Sequence, residues 1–173
     1  MRTLILGGAR CGKSALAQRL AGANGGDVVY IATATAGDAE MATRIAHHRA
    51  ERPAMWTTIE EPLALAAALR KQAHPGRTII VDCLTLWLTN LLLSREPASL
   101  DAERAALLTA LPELPGDVLF VSNEVGCGIV PADALSRRFV DESGRLHQAL
   151  AARCERVLRV VAGLVQPLKG RWP

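Results

Sequence analysis

The chain has 173 residues and a mass of 18.5 kDa, the size of one domain and enough to bury a core without disulfides or a structural metal. Half of its residues are hydrophobic and 21% are charged, which excludes a disordered chain and one built of membrane spans. The net charge of +3 gathers in no basic block and only 3% of residues are aromatic, so nucleic acid is not the expected partner.

Apolar runs of strand length alternate with segments of helical period, which is the pattern of βαβ units around a parallel sheet. Strands are expected at about Thr3 to Leu6, Asp27 to Thr33, Thr78 to Asp82, Val118 to Ser122 and Val157 to Val161, with a weaker one at Trp56 to Ile59. Their density in Val, Ile and Leu is that of strands covered on both faces. Helices are expected after Lys13, from Asp38 to about Glu51, Pro62 to Lys71, Leu100 to Leu111 and Leu135 to about Arg153. Pro53, Pro75 with Gly76, and Pro112 with Pro115 and Gly116 punctuate the joins, but none forms a linker, so residues 1–173 read as one domain. The apolar stretch before Gly7 is too short for a signal peptide, and no transmembrane segment follows, so a cytoplasmic location without stable membrane insertion is expected. Cys11, Cys83, Cys127 and Cys154 show no zinc-ligand spacing and read as reduced thiols.

The first strand runs into GGARCGKS, which comprises Gly7, Gly8, Ala9, Arg10, Cys11, Gly12, Lys13 and Ser14 and satisfies the phosphate-loop pattern in its strand–loop–helix setting. Such a loop turns successive N–H groups and a helix N-terminus toward phosphate oxygens. Lys13 is expected on the β and γ phosphates of a nucleoside triphosphate, and the Ser14 hydroxyl on Mg²⁺. Asp82, at the carboxyl end of the apolar run TIIVDCL, is the matching metal carboxylate, with a strand-end or capping role as the alternative. Val118 to Ser122 empties into NEVGCGIVP, at the edge where open α/β sheets bind ligands. Asn123 and Glu124 are therefore candidate substrate or metal contacts, unless the loop is merely structural.

EMATRIAHHR carries two adjacent histidines on an expected helix. Met41, Ile45 and His48 follow its apolar face, whereas Glu40, Arg44, His47 and Glu51 follow the polar one, which makes His47 the site-facing residue. A neutral imidazole can attack phosphorus and hold a covalent intermediate, but the residue pattern by itself favours surface or capping histidines.

GGARCGKS, YIATA (Tyr30 to Ala34), RIAHHR (Arg44 to Arg49), VDCLTLWLTNLL (Val81 to Leu92), NEVGCGIVP and SRRFVDESGRLHQ, taken in this order, resemble the bifunctional adenosylcobinamide kinase/adenosylcobinamide-phosphate guanylyltransferases over nearly the whole chain. The fold expected is α/β, a P-loop NTPase of RecA-like type with a mostly parallel sheet flanked by helices. The resemblance implies phosphorylation of adenosylcobinamide by ATP or GTP, then transfer of GMP from GTP to that phosphate, giving adenosylcobinamide-GDP in cobalamin biosynthesis. It implies that His47 carries GMP as a phosphoramidate, with Lys13 also catalytic. The implied nucleotide site is Gly7 to Ser14, Ala32, Thr33, Ala34, His48, Arg49, Ala50, Glu51, Glu60 and Asp82. A homotrimer is implied as well. Cys11 stands where the family usually has serine and His147 where asparagine is common. A P-loop small-molecule kinase that transfers no GMP, and a GTP-dependent switch protein, are the competing readings. The absence of an N-K-x-D guanine signature weighs against the switch.

Overall fold

The structure, a computed structural model, describes residues 1–23, 25–35, 37, 39–50, 52–94 and 100–171, and for Met41, Arg44, His47 and His48 the backbone alone. The elements run β1 (Arg2–Gly7), α1 (Lys13–Ala23), β2 (Asp27–Ala32), α2 (Ala39–Ala50), β3 (Thr57–Glu60), α3 (Leu65–Gln72), β4 (Arg77–Asp82), α4 (Leu84–Leu93), α5 (Leu100–Ala110), β5 (Asp117–Asn123), α6 (Ala134–Arg153), β6 (Arg156–Val161) and β7 (Leu164–Lys169). The seven strands form one sheet in the order β3-β2-β4-β5-β1-β6-β7, parallel throughout except for β7, which pairs antiparallel with β6.

Alternation along each strand divides the core into two layers. Ile5, Val28, Tyr30, Ile80, Leu119, Val121 and Leu158 pack with Leu16, Ala17 and Ala21 of α1. Their strand neighbours Leu4, Val29, Ile31, Ile79, Val81, Val118, Phe120 and Val157 face α3, α4, α5 and α6, where the fully buried Trp87 is the largest side chain. Each strand is apolar on both faces because both are covered, as the unbroken apolar runs predict.

Among the described residues the expected strands and helices are present, with ends moved by at most three residues; Asp38 and Glu51, the expected ends of the second helix, lie outside the described residues. The helix expected from Pro62 begins at Leu65, because the Glu61 carboxylate accepts from the Leu63 and Ala64 N–H groups at 3.0 and 2.8 Å and holds the intervening residues in a turn. Two elements are additional. Helix α4 leaves β4 after a single residue and is apolar nearly all round, so neither a turn signal nor a polar face marks it in the sequence. Strand β7 contains Pro167, tolerated because β7 is an edge strand, and it joins β6 through Ala162 and Gly163, both with positive φ as a tight hairpin of primed type requires.

Candidate active site

Parallel pairing brings the carboxyl ends of β1, β2, β4 and β5 to one edge, where the register sets Gly7 beside Asn123 and Ala32 beside Asp82. A cleft of about 980 Å³ opens there. Gly7 ends β1 in close contact with β6: a Cβ built on it would lie 2.3 Å from the Val160 carbonyl oxygen, so no larger residue fits. The chain then passes through Arg10, which has positive φ, into α1. The tip of the β6–β7 hairpin braces this loop, with the Gly163 N–H donating to the Cys11 carbonyl at 2.9 Å. Arg10, Cys11, Gly12, Lys13 and Ser14 line the cleft. The Lys13 ammonium donates to the Gly8 carbonyl and lies 3.6 Å from the Cys11 sulfur.

Asp82 lines the cleft two strands away from the loop, with β5 between. Its Oδ2 accepts from the Tyr30 hydroxyl at 2.6 Å, and the Arg52 guanidinium lies 3.7 Å from the centroid of the Tyr30 ring. Burial first, and then the Asp82 charge, push the Tyr30 hydroxyl well above its usual range, so it serves as a neutral donor. Ala32 and Ala34 line the same cleft, but Thr33 between them is fully buried, its Oγ1 donating to the Cys83 carbonyl at 2.7 Å and accepting from the Cys83 N–H at 2.9 Å. Asn90 of α4 ties this strand end down, its amide donating to the carbonyls of Thr33 and Pro62 at 2.7 and 3.2 Å. Burial, reinforced by the Asp82 charge, pushes the Cys83 thiol up, so it is no ready thiolate.

The remaining expected site residues divide. Asn123 lines the cleft and donates to the Thr85 hydroxyl at 3.0 Å. Glu124 is not among the lining residues: its N–H donates to the Gly7 carbonyl at 2.9 Å and its carboxylate accepts from Arg159 at 2.9 Å, so it joins the ends of β5, β1 and β6. Arg49 and Glu60 form an exposed ion pair at 3.9 Å between the end of α2 and the end of β3. His47, His48 and Ala50 lie on α2, whose Glu40, Thr43 and Ile45 line the cleft. Glu51 lies outside the described residues, as do the side chains of His47 and His48. Sequence reasoning missed Tyr30 as a partner of Asp82 and missed Arg52 altogether. The only sequence signal for the former is the aromatic residue two before the strand end.

His147 occupies the second, deeper layer of this edge. Its Nε2 is 2.7 Å from Oγ of the fully buried Ser122, and burial holds the ring below the ordinary histidine range against a smaller opposing pull from Glu124.

The family model for cobinamide kinase / cobinamide phosphate guanyltransferase matches residues 3–168. The chain belongs to this family. Its relatives include the bifunctional adenosylcobalamin biosynthesis protein CobP of Pseudomonas aeruginosa, 66% identical over 98% of each chain. The corresponding protein CobU of Escherichia coli is 38% identical and is covered over its whole length by 98% of this chain. Among solved structures, the flagellar accessory protein FlaH of Methanocaldococcus jannaschii superposes with a TM-score of 0.52 at 12% identity, over 98% of this chain and 78% of that one. The RadB recombinase does so with 0.50 at 16% identity, over 91% and 73%. Both likenesses concern the fold alone. Among the described residues no helix is long and apolar enough to cross a membrane.

Proposed function

We propose that this protein carries out two successive transfers on one corrinoid. ATP or GTP first phosphorylates the aminopropanol hydroxyl of adenosylcobinamide; GMP then passes from GTP, through a guanylyl-histidine at His47, to the new phosphate. The product is adenosylcobinamide-GDP, an intermediate of cobalamin biosynthesis. The observation that carries this reading is the convergence on one cleft of the phosphate loop, the Asp82 carboxylate and helix α2. Glu40 and Thr43 line that cleft, and position 47, seven and four residues further along, falls on the same side of an α-helix. Membership of a family described by both activities supports the same assignment.

The loop amides and the N-terminus of α1 receive the phosphates, and Lys13 offsets their charge while a bond to phosphorus breaks. Ser14 and Asp82 offer hard oxygen donors beside that loop, a donor set that suits Mg²⁺ completed by nucleotide phosphates. Bound there, Mg²⁺ would neutralise charge on the transferring and departing phosphates. Ala32 and Ala34, the α2 segment after His47, and Glu60 border the nucleotide, Thr33 holds the strand end between the two alanines, and Asn123 faces the acceptor. In the kinase step the acceptor hydroxyl attacks the γ phosphorus and a nucleoside diphosphate leaves. In the second step a neutral His47 nitrogen attacks the α phosphorus of GTP, a P–N bond forms and pyrophosphate leaves. An oxygen of the acceptor phosphate then displaces the histidine.

The two half-reactions separate by mutation. His47→Ala is expected to keep ATP-dependent phosphorylation of adenosylcobinamide and lose GMP transfer by at least about 10³-fold, as the loss of a covalent nucleophile requires. Chromatography of the corrinoid products checks this, and adenosylcobinamide-GDP formed by the variant at the parent rate would rule the mechanism out.

A further inference from the structure

We propose that Tyr30 is a positioning residue for the metal-holding carboxylate of Asp82, and that Arg52 fixes Tyr30 in turn, so that the pair governs how tightly the cleft takes up a divalent cation with its nucleotide. The inference rests on the reading of Asp82 as a metal-holding residue. Tyr30 stands on β2 opposite Ile80, two residues before Asp82 on the neighbouring strand, so its ring runs along the sheet face shared with α1 and its hydroxyl reaches the carboxylate. A terminal carboxylate torsion is broad and cheap to turn. A hydrogen bond of 2.6 Å from a donor whose ring is 2% exposed removes that freedom and engages Oδ2.

Arg52 completes the device. Its guanidinium lies on the Tyr30 ring face at 3.7 Å while Nη1 donates to the Thr58 hydroxyl at 3.4 Å, and its buried Nε has no hydrogen-bond partner. A cation on the ring face attracts the aromatic quadrupole and holds the ring against rotation. Arg52 also lines the cleft, but its path to the Asp82 carboxylate runs through the Tyr30 ring, so the effects of the two residues on metal uptake should not add.

The test titrates Mn²⁺, by electron paramagnetic resonance, into the full-length protein saturated with a non-hydrolysable GTP analogue, for the parent and for Tyr30→Phe, Arg52→Gln, the double variant and Asp82→Asn. Tyr30→Phe keeps the ring and removes the donor alone, and metal-free nucleotide affinity with a thermal melt reports on its fold. Expected are Mn²⁺ affinity about 5- to 10-fold weaker in Tyr30→Phe, a smaller loss in Arg52→Gln, and a double variant no weaker than Tyr30→Phe, with the apparent KM for Mg²⁺ rising more than kcat falls. Parent-like Mn²⁺ affinity in Tyr30→Phe beside a weakened Asp82→Asn would overturn the proposal. Parent-like affinity in Asp82→Asn would instead remove the metal role of Asp82 on which it rests. If Tyr30→Phe does not fold, Arg52→Gln decides alone, and unchanged Mn²⁺ affinity there counts against the device.

Discussion

His147 shows how a single residue links the floor of the site to pH. Its ring is half-buried against Ser122 and held neutral by burial, so its affinity for a proton is lower in the folded chain than in the unfolded one, whose value is about 6.5. The unfolded state therefore binds more protons as pH falls below about 6.5, and stability declines with it. His147→Asn, which removes the titrating ring and keeps a polar side chain, should flatten the fall in unfolding free energy between pH 7 and 5 while leaving stability above pH 7 little changed. Chemical denaturation across that range measures it, and an unaltered pH slope would show that His147 is not the titrating group. The phosphate loop and Asp82 are legible in the sequence because each is a local pattern tied to the end of one apolar run. The meeting of Tyr30, Asp82 and Arg52 is not, since it depends on the register of β2 against β4 and on where the chain returns after α2.

Elements were legible in proportion to how sharply their boundaries are punctuated. Strands β1, β2, β4, β5 and β6 are apolar runs ended by polar or glycine residues, and the structure has them all. Helix α4 begins one residue after β4 and has no polar stripe, so strand, turn and helix merge into one apolar string in the sequence. Its position is nevertheless well fixed: Trp87 Nε1 donates to the Leu63 carbonyl at 2.8 Å and Asn90 donates to the Pro62 carbonyl, both within the turn that Glu61 closes. The Glu61 carboxylate thus closes the turn that leads into α3 and, through that turn, supports α4 and the Thr33 strand end. Glu61→Ala should cost about 1 kcal/mol, the usual net worth of such hydrogen bonds, and lower the melting temperature by about 2–4 °C. Calorimetry gives the value, and an unchanged melting temperature would mean that the turn is held by α4 rather than by Glu61.

At the scale of the whole molecule, the strand order decides which groups meet at the cleft. The phosphate-loop strand β1 and the carboxylate strand β4 flank β5, so the loop, Asp82 and Asn123 come from three adjacent strand ends and form a fixed floor. Helix α2, by contrast, joins β2 to the edge strand β3, and its described positions are exposed apart from the half-buried Ile45. A fixed floor suits the positioning and electrostatics of phosphoryl transfer, and the nucleophile proposed on a separate helix would add a covalent stage without rebuilding that floor. Motif order along the chain made the family legible, whereas the carboxylate of Glu124, expected in the site, pairs with Arg159, a partner on β6 that no local pattern announces. The central claim is the covalent intermediate. The direct measurement incubates the protein and His47→Ala with Mg²⁺ and GTP labelled at the α or at the γ phosphate, and then assays acid-labile, protein-bound label. The expected result is that α label alone is retained and that it is lost in the variant. Absence of label from a folded, GTP-binding protein, or α label retained in His47→Ala, would contradict it.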